Sequence, residues 1–234
     1  MLVKDAKTFG NISNGNTKMP STSFAIDAFS CITGSKLAKI KGTPCNVCYA
    51  RRLQKIRPSV DKGYKSNLEK FNSSNTNDWI SAMVFQITRQ TEKIGIYKHR
   101  WFDSGDLQSI EMLQAIIDVC LLTPHIKHWL PTQERDIIKQ IETIPDNLVI
   151  RLSGSKINGK PPSYGNTSTV FNKDGQSFDN ECPAYRTDKN STVWDKLKFK
   201  ALSRADKKQL DFGHCGDCSN CWNKNVKNVS YPAH

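Results

Sequence analysis

The sequence predicts an α/β protein with a small parallel sheet or a partial, irregular βα-barrel. Three apolar segments predict strands at 94–102, 126–130 and 147–152, and they alternate with predicted helices at 107–122 and 133–143. Strands that alternate with helices in this way indicate right-handed βαβ crossovers between parallel strands. Cysteine-bearing segments flank this core on both sides, and we expect them to meet around a metal cluster.

The chain of 234 residues is long enough for one hydrophobic core, and we interpret residues 1–234 as a single domain. Its parts are an N-terminal cysteine segment at 24–58, a βα core at 78–155 and a C-terminal cysteine segment at 181–222. The hydrophobic content of 37% argues against a disordered chain.

Shorter elements are predicted around this core. We expect a polar arm at 1–23, a basic helix at 49–57 that Pro58 ends, and a loop at 72–77. Asp78 is expected to cap the helix that follows it. A further strand is predicted around 168–172.

The sequence predicts that the cysteines lie in a reducing compartment. No stretch approaches the about 18 to 20 apolar residues that span a bilayer, and the start of the chain lacks an apolar signal segment. We therefore expect a cytoplasmic protein without a membrane partner. Eight cysteines in such a compartment indicate metal binding or catalysis more than disulfides.

The sharpest motif is GHCGDCSNCW, in which Cys215, Cys218 and Cys221 follow the spacing C-x2-C-x2-C. This spacing lets each thiolate reach a separate iron of one cubane. Bacterial ferredoxins complete such a run with a cysteine that precedes proline, and here Cys182 precedes Pro183. The four cysteines predict a complete [4Fe–4S] site.

A second constellation consists of Cys31, Cys45 and Cys48. Three thiolates could hold another four-iron cluster with one open iron, which water, a histidine, a carboxylate or a substrate would close. In the alternatives, one of these cysteines completes the C-terminal cluster, the pair Cys45 and Cys48 serves redox exchange, or the thiols are buried and inert.

Zinc is the main alternative to iron. Cys45 and Cys48 could join Cys215 and Cys218 as two C-x2-C pairs around one zinc ion. That pairing would leave the other three cysteines of the two constellations unused, which favours iron–sulfur chemistry. Cys120 lies on the apolar side of a predicted helix and is interpreted as a buried, inert thiol.

Polar residues follow the predicted strands. Asp103 and Asp106 follow the first strand, Gln133 and Glu134 follow the second, and Arg151 lies in the third. Parallel sheets bind ligands at the carboxyl ends of their strands, so these five residues are candidates for a catalytic pocket. The two aspartates could equally cap helices.

The net charge of +12 gives the protein some affinity for nucleic acid. A basic patch on the predicted helix at 49–57 would serve such a partner. The lysines are spread along the whole chain, however, and a four-thiolate cluster would itself add about two negative charges.

Four short motifs carry a family resemblance: TPCNVCYARR, HRWFDSGDLQS, WLPTQE and CGDCSNCW. In this order they resemble a bacteriophage family labelled gene product 88-like, and the match covers most of 24–222. The resemblance implies a viral protein in the host cytoplasm and brings no established activity.

The layout is also similar in outline to radical S-adenosylmethionine enzymes, which combine a three-cysteine cluster, a partial βα-barrel and often a second cluster. Their cysteines follow C-x3-C-x2-C, whereas thirteen residues separate Cys31 from Cys45 here. Their aromatic residue precedes the last cysteine, whereas Tyr49 follows Cys48. These departures argue against S-adenosylmethionine as a cofactor.

Three hypotheses about function follow, in this order. The first is a cluster-dependent redox or radical enzyme that acts on an unknown small molecule. The second is a metal-stabilised module, holding iron–sulfur or zinc, that binds nucleic acid or a host protein. The third is an electron-transfer protein with a redox partner, for which the chain is larger than the task requires.

Overall fold

The computed structural model describes residues 1–16, 19–172, 174–183, 201–209, 215 and 218–233. Within them the chain forms one mixed sheet with helices, which confirms the α/β class. Its strands are β1 Ile12–Ser13, β2 Thr22–Phe24, β3 Lys98–Arg100, β4 Lys127–Thr132, β5 Leu148–Ile157, β6 Asn166–Phe171 and β7 Asn228–Pro232.

The order of the strands in the sheet follows their order in the chain. The short strand β1 runs antiparallel to β2. Every later pair, from β2 with β3 to β6 with β7, is parallel. The sheet is therefore mostly parallel, as the alternation of strands and helices predicts.

Helices occupy much of the chain between the strands. Those in the described residues are α1 Val3–Ala6, α2 Ile32–Leu37, α3 Tyr49–Ile56, α4 Pro58–Ser73, α5 Thr76–Ile94, α6 Ile110–Leu122, α7 Arg135–Ile138 and α8 Arg204–Gln209. Two 3₁₀ turns cover Ala28–Ser30 and Asn220–Trp222. None of the helices described is long and apolar enough to cross a membrane.

The two faces of the sheet bury different partners, because side chains alternate along a strand. Leu148 and Ile150 of β5 pack into the main core together with α5 and α6, and we call this side the helix face. Trp129 and Val229 belong to a smaller cluster with Trp222 on the other side. We call that side, which also carries Lys98, Arg100, Arg151 and Tyr231, the second face.

Two buried histidines lie between strands on the helix face. His99 Nδ1 lies 2.8 Å from the hydroxyl of Thr22, and His128 Nε2 lies 2.8 Å from the hydroxyl of Thr123. Each threonine hydroxyl donates to a backbone carbonyl, so the imidazole nitrogen beside it is the donor to the hydroxyl oxygen. Burial lowers the pKa of His128 to about 3, and burial followed by the charge of His128 lowers the pKa of His99.

Pro58 begins a helix that the sequence analysis did not predict. Proline is compatible with the first turn of a helix, and Pro58 opens α4 directly after α3 ends. The expected loop at 72–77 shrinks to a break at Ser74 and Asn75. Asn75 caps α5 through bonds from the backbone N–H groups of its first turn, so the expected cap at Asp78 is wrong.

Other boundaries also differ. The expected polar arm at 1–23 contains α1, β1 and the start of β2. The predicted helix at 133–143 is confined to α7, and β5 continues five residues beyond the predicted end of its strand. Strand β7 was not predicted, because its buried positions include polar side chains such as Asn228 and Ser230.

We predict that acid destabilises the fold through the buried histidines. An unfolded histidine takes up a proton near its ordinary pKa of about 6.5, whereas folded His128 resists protonation down to about 3. The unfolded state therefore binds more protons over this window, and the free energy of unfolding falls as the pH drops below about 6.5. Urea unfolding at about pH 7 and pH 5 measures the effect.

The variant His128→Gln should reduce this loss by up to about 1.4 kcal/mol per pH unit, because one titrating group is gone. The matched control is His125→Gln, since His125 is exposed. Equal pH slopes for wild type and His128→Gln would contradict the prediction.

Candidate metal centres

Seven of the eight cysteines fall into two spatial groups. The N-terminal group consists of Cys31, Cys45 and Cys48, and the C-terminal group of Cys182, Cys215, Cys218 and Cys221. No disulfide bond joins any of the eight, all of which lie among the described residues. Cys120 is buried in the core of the helix face, as the sequence predicts.

Helix starts and a tight turn position the N-terminal group. Cys31 precedes the first residue of α2, and Cys48 precedes the first residue of α3. Gly34 lets the sulfurs come together, since a Cβ at this position would lie 3.6 Å from Cys31 Sγ and 3.8 Å from Cys45 Sγ. Only a residue without a side chain leaves the space beside both sulfurs open.

The N-terminal group lies against the carboxyl ends of β3 and β4. Burial raises the pKa of the Cys31 thiol, and the carboxylates of Asp106 and Glu134 contribute to the increase. Burial likewise raises the pKa of Cys45 to about 12, with a further contribution from Cys48. Metal-free Cys31 and Cys45 are therefore protonated, which argues against either of them as the attacking group of thiol–disulfide exchange, because the attack requires a thiolate.

Hydrogen bonds already engage the two carboxylates nearest Cys31. Glu134 accepts bonds of 2.8 and 2.7 Å from the N–H and the hydroxyl of Thr33, and these bonds hold the start of α2. Asp106 accepts from the hydroxyl of Thr132 at 2.6 Å and from the Gln133 N–H at 2.8 Å. Burial raises the pKa of Asp106 to about 7, although these hydrogen bonds oppose the increase.

The turn after β3 requires a glycine. Gly105 has φ +85°, and a Cβ there would lie 2.3 Å from Ile26 Cγ1. The carbonyl of the preceding residue, Ser104, accepts a 2.9 Å bond from the Ile26 N–H. This close approach holds Asp106 against β4. Helix α6 is capped by Ser109 and not by either aspartate.

The other predicted catalytic residues lie in different places. The side chain of Gln133 donates to the Gly154 carbonyl at 3.2 Å, beside Asp106 and Glu134. Asp103 forms a 2.8 Å ion pair with Arg100 and also accepts from the hydroxyl of Tyr49. Arg151 is on the second face with the C-terminal group.

The C-terminal group packs on the second face of the sheet. Cys221 is buried beside Trp129 and Trp222, and Cys182 and Cys215 pack against the same cluster. The backbone N–H of Cys182 donates to the Ser230 carbonyl in β7 at 2.8 Å. The fold thus brings the upstream Cys182 to the C-x2-C-x2-C run.

A buried arginine fixes the segment that carries Cys221. The Arg151 side chain is fully buried and donates five hydrogen bonds of 2.5 to 3.1 Å. The acceptors are the carbonyls of Thr167, Asn220, Cys221, Asn223 and Val226. The guanidinium therefore joins β5 to the C-terminal segment across the second face.

Thiols and cations meet in the C-terminal group. Burial raises the pKa of Cys215 to about 12, and the nearby thiols of Cys182 and Cys218 add to the increase. Lys98 and Arg100 act in the opposite direction. A cluster that carries negative charge fits this set, because the cations are already in place to balance it.

Cys221 has a hydrogen-bonding partner of its own. Its sulfur lies 3.0 Å from the hydroxyl of Tyr231 in β7. Burial raises the pKa of Cys221 to about 12, whereas the bond to Tyr231 and the charge of Arg151 lower it. Tyr231 was not among the predicted site residues, since no cysteine motif includes it and β7 was not predicted.

A chain of side chains lies between the two groups. Tyr49, which follows Cys48, donates its hydroxyl proton to Asp103, and Asp103 pairs with Arg100. The Arg100 guanidinium lies 4.7 Å from the centre of the Trp129 ring, next to the C-terminal group. Side chains alternate along a strand, so Lys98 and Arg100 of β3 lie on one face of the sheet. This alternation in the sequence could have predicted that both cations face the same site.

The two C-x2-C pairs do not come together. Cys48 is the thiol that raises the pKa of Cys45. The thiols that raise the pKa of Cys215 are instead Cys182 and Cys218. In the part of the chain that the structure describes, no group of three or more His, Cys, Asp or Glu residues has the arrangement to hold a metal ion. His214, which by its place next to Cys215 in the sequence could be a ligand or a hydrogen-bond donor to sulfur, lies outside the described residues.

We predict that Gly34→Ala disturbs the N-terminal group more than the fold. A methyl group there would lie 2.9 Å from Cys31 Cβ and would push the sulfurs of Cys31 and Cys45 apart. The affinity of this group for a thiophilic ion such as Cd²⁺, followed by the ultraviolet absorbance of the metal–thiolate bond, should fall by about tenfold or more.

The matched control is Gly63→Ala in α4, where an added Cβ has no neighbour within 4 Å. Circular dichroism should show the same helix content for both variants. An unchanged Cd²⁺ affinity in Gly34→Ala would show that these sulfurs do not act together.

Comparison with known proteins places the chain in a family. The family model described as Gene product 88 matches residues 3–224. No curated protein and no solved structure matches the chain. Because the match covers nearly the whole sequence, the chain belongs to the gene product 88 family, the bacteriophage family that its cysteine and strand-end motifs resemble.

Proposed function

We propose that this protein binds two [4Fe–4S] clusters, one in each group of cysteines, and acts as a redox or radical-type enzyme in the host cytoplasm. The observation that carries the proposal is the C-terminal group. The C-x2-C-x2-C run and the distant Cys182 lie together on the second face, where Cys221 is buried and the other three thiols are partly buried. The cations Lys98 and Arg100 lie close enough to influence them. Four thiolates with compensating cations are what a cubane requires.

The N-terminal group supports a second cluster with an open iron. Three thiols lie together, and hydrogen bonds occupy Asp106 and Glu134, the carboxylates that could have supplied a fourth ligand. A fourth iron would then be free for water or a substrate. The position at the carboxyl ends of the strands agrees with where βα folds bind their ligands.

The sheet topology supports a partial βα-barrel around this site. Each strand after β1 is parallel to the one that follows it in the chain, which is the strand order of βα-barrels. In such an arrangement the second face is the interior, and the C-terminal segment fills it. The substrate would approach from the strand ends, beside Asp106 and Gln133.

The bound clusters would supply one-electron transfer, and the chain's residues have supporting tasks. Trp129 and Trp222 shield Cys221 from water. With Cys221 bound as a thiolate, the hydroxyl of Tyr231 would be the donor of the bond between them, and Arg151 holds the backbone carbonyl of Cys221. Asp106, with its pKa raised to about 7, could exchange a proton with a substrate once Thr132 or Gln133 releases it.

A second candidate function is a metal-stabilised module that binds nucleic acid. The observation in its favour is that Arg52 and Lys55 of helix α3 and Arg57, which follows the helix, are all exposed. Its metal would be iron–sulfur or zinc. Metal analysis separates zinc from iron, and binding of labelled DNA at physiological salt tests the nucleic-acid partner.

We predict about eight irons and eight sulfides per chain after anaerobic purification, with broad absorbance near 400 nm. The double variants Cys45→Ser/Cys48→Ser and Cys215→Ser/Cys218→Ser should each retain about four irons, because each removes ligands from one cluster only. The control Cys120→Ala should retain all of them. A colourless protein that contains one zinc ion per chain would contradict the iron–sulfur proposal.

We predict that Tyr231→Phe makes the reduction potential of the C-terminal cluster more negative. A hydrogen bond to a ligand sulfur stabilises the reduced, more negatively charged cluster, and the variant lacks this donor. A potentiometric titration followed by electron paramagnetic resonance measures the shift at unchanged iron content. The control is Tyr164→Phe at an exposed position, and a potential that rises or stays the same contradicts the assignment.

A further inference from the structure

The N-terminal cysteine segment has an unusual charge distribution. Between Asp27 and Asp61 the chain contains no acidic residue. The same stretch contains the basic residues Lys36, Lys39, Lys41, Arg51, Arg52, Lys55 and Arg57. A solvated surface normally carries charges of both signs. This stretch carries only positive charges and therefore favours a negatively charged partner.

Apolar side chains are exposed among these cations. Ile40 is 53% exposed and Val47 is 52% exposed, on either side of Cys45. Large exposed apolar groups beside charged ones are typical of the centre of a protein–protein interface. Neither side chain contributes to the cores of the fold.

Hydrogen bonds hold these side chains in one surface. Asn46 donates from its side chain to the Ala38 carbonyl at 2.8 Å. The Thr43 hydroxyl donates to the Ile40 carbonyl at 2.9 Å, and the hydroxyl oxygen accepts from the Asn46 N–H at 3.1 Å. Residues 38–40 therefore lie beside residues 46–47. We call Lys39, Ile40, Lys41 and Val47 the loop surface.

The charge of the loop surface is not neutralised nearby. Within the residues that the structure describes, neither Lys39 nor Lys41 forms an ion pair. The acidic side chains closest to the cysteines, Asp106 and Glu134, are buried beneath the loop and engaged by other bonds. The surface thus presents cations and aliphatic groups above the N-terminal group.

The chemistry of the surface favours an acidic protein over nucleic acid. Proteins that bind single strands combine cations with exposed aromatic rings on which bases stack, whereas the apolar members here are isoleucine and valine. Cations around an aliphatic centre complement a protein surface of opposite charge. Cys45 and Cys48 are only partly buried, so a cluster on them would lie near this surface.

We propose that the loop surface docks a small acidic electron-transfer protein that reduces the cluster of the N-terminal group. The proposal rests on the proposed function for its acceptor. With a cluster held by these cysteines, one electron would pass from a reduced [2Fe–2S] donor to a [4Fe–4S]²⁺ acceptor, so that the donor would be oxidised and the acceptor reduced to [4Fe–4S]⁺. No bond forms or breaks, and no proton is required.

The test uses a plant-type [2Fe–2S] ferredoxin, which is acidic and has a low potential, as the donor. Stopped-flow absorbance gives the rate constant for reduction of the full-length, cluster-loaded protein. In Lys39→Glu/Lys41→Glu the rate constant at low salt should fall at least about tenfold, and its dependence on salt should reverse or vanish. Reduction by dithionite should be unchanged.

The matched control is Arg89→Glu/Lys93→Glu, which reverses two exposed charges on α5. It has the same net charge as the test variant and should keep the wild-type rate and salt dependence. Equal rates for both double variants would overturn the docking site. Tighter binding of a fluorescent single-stranded DNA than of ferredoxin, lost in Lys39→Glu/Lys41→Glu, would also overturn it, in favour of nucleic acid.

Direct titration with oxidised ferredoxin separates this proposal from the proposed function. If the protein contains no iron, the function fails, but weaker ferredoxin binding by Lys39→Glu/Lys41→Glu would still support the docking surface. If the protein contains iron and ferredoxin does not bind, the docking surface fails and the function stands.

Discussion

The buried guanidinium of Arg151 is the constraint on which the C-terminal half of the structure depends. A guanidinium that is buried away from water needs a hydrogen-bond acceptor for each of its N–H groups, and five backbone carbonyls accept from Arg151. Carbonyls do not neutralise the charge, and burial accordingly lowers the pKa of Arg151. The proposed cluster on Cys221 would supply a counter-charge, and its binding and the packing of this segment would then stabilise each other.

Arg100 performs a related task between the two groups of cysteines. Its partner Asp103 is bonded to Tyr49 at the start of α3, while its guanidinium lies over Trp129 next to the C-terminal group. The turn at Gly105 fixes Asp103 and Asp106 together, since no other residue fits against Ile26 there. One short segment after β3 therefore positions both groups relative to the sheet.

The sequence predicted the parts of this arrangement that depend on local patterns. Apolar strands such as β4 and β5 were recognised by their composition, and the C-x2-C-x2-C run by its spacing. The polar strand β7 was not predicted. Its residues Asn228 and Ser230 are buried because they form hydrogen bonds to β6, and the periodicity of the sequence does not reveal such bonds. Arg151 was predicted as a pocket residue from its position in the strand, whereas its contacts could not be read from the sequence, since its five acceptors lie up to 75 residues away in the chain.

The central claim is that the cysteines form two separate iron–sulfur sites on one sheet. Anomalous X-ray diffraction at the iron edge, from crystals grown without oxygen, tests it most directly. The account predicts two peaks, one bounded by Cys31, Cys45 and Cys48, and the other by Cys182, Cys215, Cys218 and Cys221. A single peak at the zinc edge, shared by Cys45, Cys48, Cys215 and Cys218, would contradict it.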